Sequence, residues 1–235
     1  MTLEDIMKML EEMGTEQTKL TFFRHGAQEP YFGVRVGDLK KLVKHVKKDQ
    51  ELALALYDTG NSDAMYLAGL SVNPKLMSKE ALQAWVEKAY WYMLAEYTVA
   101  GVTAESPYAH ELAMEWIQSD EEMIATCGWS TYSNYLSITP DENLNLEEIR
   151  KLLHQAETTI HQEKNRVRYS MNNFVICVGA YDEDLHEEAV AVAAKIGKVH
   201  VDVGQTACKV PLATDYIKKI EDRNKIGAKK KTCIC

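Results

Sequence analysis

Apolar residues recur every three or four positions along almost the whole chain, the period of a helix with one buried face. In residues 3–13 the stripe is Leu3, Ile6, Met7, Leu10 and Met13, with Thr2 and Asp5 spaced as a start signal. A weaker helix over 16–24 leads into HGAQEPYFGVR, a loop punctuated by Gly and Pro. Residues 38–48 place Leu39, Leu42, Val43 and Val46 on one side and lysines on the other. Helices are predicted over 49–58 and 62–72, the second capped by Ser62 and closed before Pro74. From Ser78 the pattern runs through YWYMLAEY (90–97) to about residue 103, with a break near 89. Ser106 and Pro107 are placed to open the next helix. Further helices fall over 120–136, 146–162, 165–180, 184–196 and 211–224. Only KVHVDVGQ (198–205) alternates like a strand, and its short length and flanking glycines favour a loop.

About twelve short helices with short connections predict an all-α fold, an α–α superhelix of helical hairpins. No hairpin can bury its stripe alone. Stacking neighbours would give a curved ribbon with a concave face. Residues 1–226 are expected to form this single domain, and 227–235 a frayed basic tail.

Composition changes the picture in two ways. The hydrophobic fraction of 46% supplies a core, and no apolar run is long enough to span a membrane. The first residues lack the basic and apolar regions of a secretory signal, and five scattered cysteines suggest reduced thiols in a cytoplasmic protein. The net charge of −8 argues against a uniformly basic nucleic-acid coat, but the charge is segregated. Residues 35–48 hold six Lys/Arg and one acid, and 218–231 hold seven and two. Residues 89–149 hold eleven Asp/Glu and no Lys or Arg.

Most local chemistry is missing. His154 and His161 lie two turns apart, too far to converge on a metal, so no metal or other cofactor is expected. No Gly-rich phosphate loop and no local Ser/His/Asp or Cys/His frame is present. Thr232 occupies the position at which a prenylated cysteine would stand. The octet YWYMLAEY remains. On an α-helix Tyr92 and Glu96 share a face, an aromatic ring beside a carboxylate able to stabilise positive charge. The bland alternative is core packing by the rings and a solvated glutamate.

YFGVRVGDLKKLVKHV (31–46) resembles a helix junction of the DNA alkylation repair family, the AlkD-like glycosylases built of HEAT-like repeats. VDVGQTACKVPLATDYI (201–217) resembles the C-terminal loop and helix of bacterial members. The resemblance implies a HEAT-like superhelix whose basic concave groove cradles double-stranded DNA, including alkylated DNA. It also implies hydrolysis of the N-glycosidic bond of N3- or N7-alkylated purines, with a carboxylate and aromatic faces around the deoxyribose. The family's Trp, followed four residues later by Asp, maps onto Trp91 and Ala95, or with a one-residue shift onto Tyr92 and Glu96. Its second aromatic falls near Phe174. Arg35, Lys40, Lys41 and Lys44, with Arg166 and Arg168, are the candidate DNA-binding cations. The helix at 120–136 has no arginine where the family places one. Two readings stay open: a glycosylase with an altered site, and a noncatalytic HEAT-like module that binds DNA or a protein partner.

Overall fold

Residues 1–234 are described by a computed structural model, and their apolar stripes become helices close to where the sequence places them. The α-helices are α1 (Leu3–Met13), α2 (Glu16–Arg24), α3 (Val36–Val46), α4 (Gln50–Asp58), α5 (Ser62–Ser71) and α6 (Lys79–Glu87). They continue with α7 (Ala100–Ala104), α8 (Ala109–Ile117), α9 (Glu122–Ile138), α10 (Leu146–Thr159), α11 (Asn165–Tyr181), α12 (His186–Ile196) and α13 (Ala213–Glu221). A π-helical segment, Met93–Val99, runs directly into α7. Among the described residues there is no strand, and 198–212 is a loop. No described helix is long and apolar enough to cross a membrane.

Helix starts follow local chemistry. Thr2 and Asp5 form the reciprocal box expected of them, at 3.1 and 2.8 Å. Two start signals needed correction. Asn61, not Ser62, caps α5, because its side-chain oxygen accepts from the N–H groups of Asp63 and Ala64. Ser106 does not open α8. Its hydroxyl donates back to Thr103 O and accepts from Tyr108 N, which makes a tight turn, and the helix begins at Ala109.

The helices stack in two rows. In the inner row α3 packs on α5, α5 on the π segment, the π segment on α9, α9 on α11 and α11 on α13. The helices α4, α8 and α12 flank this row, against α5, α9 and α11. This is the α–α superhelix of helical hairpins that the pattern predicts, in the form the resemblance implies. Its core is continuous through α8 and α9: Trp116 and Cys127 belong to the N-terminal cluster, Ala113, Ile117 and Trp129 to the C-terminal one. Two inner helices approach closely because they carry glycine. A Cβ on Gly128 would sit 2.5 Å from Ile117 N, and one on Gly69 2.4 Å from Thr98 Cγ2.

Of the basic C-terminal segment expected over 227–235, Cys235 lies outside the described residues, and 229–234 are not frayed. Lys229 bridges Asp141 (2.7 Å), and the Lys230 N–H donates to Ser137 O (2.8 Å). One oxygen of Glu105 accepts from the Thr232 hydroxyl, Cys233 N and Ile234 N, at 2.5, 2.6 and 3.2 Å. The sequence gives no hint of this, since the acceptor lies 128 residues from Cys233. Glu105→Ala leaves those donors unmatched, a local loss of about 1–2 kcal/mol. Tryptic cleavage after Lys229, Lys230 or Lys231, followed by mass spectrometry, is expected to accelerate about tenfold while Tm barely moves. An unchanged cleavage rate would show that Glu105 does not hold the segment.

Candidate functional site

The octet does not continue an α-helix. Tyr90 and Trp91 lie in a break, and from Met93 the backbone widens into π geometry, marked by an Ala100 N–H bond to Ala95 O five residues back. Nothing in the octet's residue types announces this. Trp91 is 5% exposed, packs on Phe22 at 5.2 Å between ring centroids, and donates its indole N–H to His25 O (2.9 Å). It therefore bolts the end of α2 to the π segment, and only a small part of it reaches the cavity described below. Ala95 is fully buried. Phe174 is also fully buried, edge-on to Trp129 at 5.2 Å and to Tyr132 at 5.8 Å. The structure places it in the C-terminal core and not opposite the octet. Its expected position beside a lesion is corrected by that burial.

Glu96 and Tyr92 do come together, but around a third residue. Glu96 is only 7% exposed. Its Oε1 accepts from Arg166 Nε (2.8 Å) and Nη2 (2.5 Å). The guanidinium lies over the Tyr92 ring at 4.0 Å and the Tyr169 ring at 4.3 Å. Arg166 is seated by the first turn of α11, where its backbone N–H donates to Glu122 (2.7 Å). The carboxylate is therefore not in open solvent, and one of its oxygens is held by Arg166. Burial pushes Glu96 up to about 7, against the opposing pull of Arg166. Burial also raises the Tyr92 phenol to about 12, so it keeps its proton. The Tyr92 hydroxyl lies within hydrogen-bond distance of His25 Nδ1 (2.9 Å).

Beyond the Arg166 side of this pair lies an open cavity of about 350 Å³. Its walls include His25, Tyr92, Tyr169 and the loop from Asp202 to Lys209. The loop reaches back to the N-terminal end of the fold, where Gln205 N donates to Arg24 O (3.2 Å). Gly204, at φ +72°, makes that approach possible, since a Cβ there would lie 2.5 Å from Arg24 O. Asn165 pins the loop with a reciprocal pair to the Asp202 backbone, at 2.7 and 2.9 Å. His25, Tyr169 and Asn165 were not legible as site residues. Tyr169 alone left a local signal, three positions after Arg166 on one helix face.

The candidate cations divide into free and committed. Arg35, Lys40 and Lys44 are exposed, and no carboxylate among the described residues lies within ion-pair distance of them. Lys41 is held by Asp38 at 2.6 Å. Arg168 donates to the carbonyls of Glu163 and His200, and Arg166 is consumed by Glu96. The YFGV turn is the pedestal for the free group. Buried Asp63 accepts from the N–H groups of Phe32, Gly33 and Val34 at 2.6, 2.9 and 2.9 Å, which fixes the chain just before α3.

Residues 6–217 match the family model described as DNA alkylation repair enzyme. An uncharacterised protein of Listeria monocytogenes is 36% identical over 95% of this chain and 99% of its own length. Another, of Listeria innocua, is 36% identical over 94% and 98%. A solved structure described as one of a new family of proteins related to the HEAT-like repeat DNA glycosylases, with affinity for branched DNA structures, superposes over all of both chains. Its TM-score is 0.91 and its identity 38%. The chain belongs to the DNA alkylation repair family and has the HEAT-like fold of proteins related to these glycosylases.

Proposed function

We propose that this protein binds DNA, with preference for branched over linear duplex, and that it does not excise bases. The observation that carries the reading is the Glu96–Arg166 pair. Excision leaves an oxocarbenium-like sugar, and a carboxylate helps only if it faces that charge unneutralised. Glu96 gives one oxygen to two N–H donors of a cation at 2.5–2.8 Å, so the pair has no net negative field to offer. Arg166 lies on the cavity side and would oppose a second positive charge. The other aromatic parts of a glycosylase site are largely spent, with Phe174 wholly in the core and Trp91 only 5% exposed at the cavity wall. DNA attraction rests on Arg35, Lys40 and Lys44 at the surface of α3. The preference for branches is carried over from the solved relative with affinity for branched DNA structures.

Competition binding tests this reading. A four-way junction is expected to displace a labelled junction at least about tenfold better than a linear duplex of equal base-pair content, at fixed salt. Equal competition would remove the branch preference. No binding at low salt would remove the DNA role itself.

A further inference from the structure

A second cavity, also of about 350 Å³, lies on the Glu96 side of the ion pair. The first cavity touches Arg166 and not Glu96, and the second touches Glu96 and not Arg166. Tyr97 and Tyr169 line both, so the pair and these two rings form a partition. The second cavity opens between α9 and α11, and the C-terminal segment closes one side through Lys230.

Its lining is unlike the core around it. Ser130 and Asn134 lie one turn apart on α9, and Tyr169 and Asn173 one turn apart on α11. The two helices pack on each other, so these are facing polar columns. The side-chain hydroxyls of Ser130, Tyr97 and Tyr169 and both amides have no hydrogen-bond partner among the described residues, although Ser130 is only 7% exposed. On the same helix Ser133 and Ser137 donate to Trp129 O and Asn134 O, while the buried Thr126 hydroxyl has no partner among the described residues. None of the unmatched cavity-lining atoms is among the fully buried polar groups left without a partner, so they face the cavity and are open to a ligand entering it.

We infer that this cavity is a binding site for a single nucleotide. Two amides offer paired donors and acceptors suited to a base edge. The aromatic rings of Tyr97 and Tyr169 offer stacking surfaces, and Tyr97 is 49% exposed. Lys230 is the one Lys or Arg lining the cavity among the described residues; its ammonium lies 5.2 Å from the Tyr181 ring centroid, and turned to the cavity it would supply a point charge for a phosphate. Glu96 does not repel that phosphate, because Arg166 already balances it. The nucleotide could come free from solution or as an unstacked residue of bound DNA, and the chemistry of recognition is the same.

The test uses the full-length protein and four probes: deoxynucleoside monophosphates, the matching nucleosides, inorganic phosphate and a four-way junction. Calorimetry is expected to give binding of a monophosphate at submillimolar concentration, about tenfold tighter than its nucleoside and than phosphate alone. Lys230→Ala should erase the advantage over the nucleoside. Asn173→Leu should weaken both by about tenfold with an unchanged Tm. If only junction affinity falls in these variants, the nucleotide is DNA-borne. Phosphate binding as well as the monophosphate would overturn the proposal, because the amides would then read nothing. It is also overturned if no monophosphate binds at millimolar concentration and both variants keep wild-type junction affinity. That last result leaves DNA binding through α3 standing, so the two readings fail separately.

Discussion

Replacing Arg166 with Ala is expected to cost about 3–5 kcal/mol of stability, which for a chain of this size lowers Tm by roughly 10–15 °C. The reason is the partner left behind. Glu96 is 5% exposed at its side chain and Arg166 12%, so the carboxylate left behind stays largely desolvated. The substitution strands a carboxylate among the π segment, α9 and α11 and removes the cation between Tyr92 and Tyr169. The deficit must also depend on pH. The folded protein holds Glu96 at about 7, above its ordinary value of 4.5, so it favours the protonated form. Its stabilising contribution is complete below the ordinary value and is lost as pH rises through about 7. Without Arg166 nothing offsets the ionised form, and the gap between variant and wild type should widen from about pH 5 to about pH 8. Glu96→Leu combined with Arg166→Met should recover most of the loss, because a packed apolar pair need not be desolvated. Chemical denaturation of the three proteins at both pH values checks this. A deficit below about 1 kcal/mol, or one independent of pH, contradicts the buried pair.

The second large effect is on DNA. Lys40, Lys44 and Lys47 follow one another on one face of α3 and its C-cap, and all are exposed. If each neutralises one phosphate, Lys40→Ala, Lys44→Ala and Lys47→Ala together should reduce the slope of log affinity against log salt by about 3. At about 0.1 M salt the affinity should fall by about 10²–10³-fold. Their exposure means that Tm should hardly change. Binding titrations on a junction at several salt concentrations give both quantities. A slope equal to that of the wild type would move the phosphate contacts to another surface.

What was legible in the sequence was local. The boundaries of α1 and α2, the basic face of α3 and the loop after α12 follow from periodicity, caps and glycine within a few residues. Stacking into two rows follows from helices that cannot bury their stripes alone. The misses were of two kinds. Asn61 and Ser62 are both good caps, and composition does not choose between neighbours. The rest is tertiary: Arg166 reaches Glu96 across 70 residues, and Glu105 reaches the C-terminal segment across 128. The π turn is a milder case, since no Gly or Pro in YWYMLAEY marks it. Helical spacing paired Tyr92 with Glu96 correctly, but it could not reveal the guanidinium between them.

On the proposed reading, Glu96, onto which the resemblance maps the family's acid, is structural and not catalytic. Release of free base from N-methylated duplex DNA by the purified full-length protein, compared with Glu96→Gln, tests it most directly. The expected result is release at the rate of the spontaneous reaction for both proteins, under conditions where the wild type binds the DNA. Release by the wild type that exceeds that rate and disappears in Glu96→Gln would contradict it.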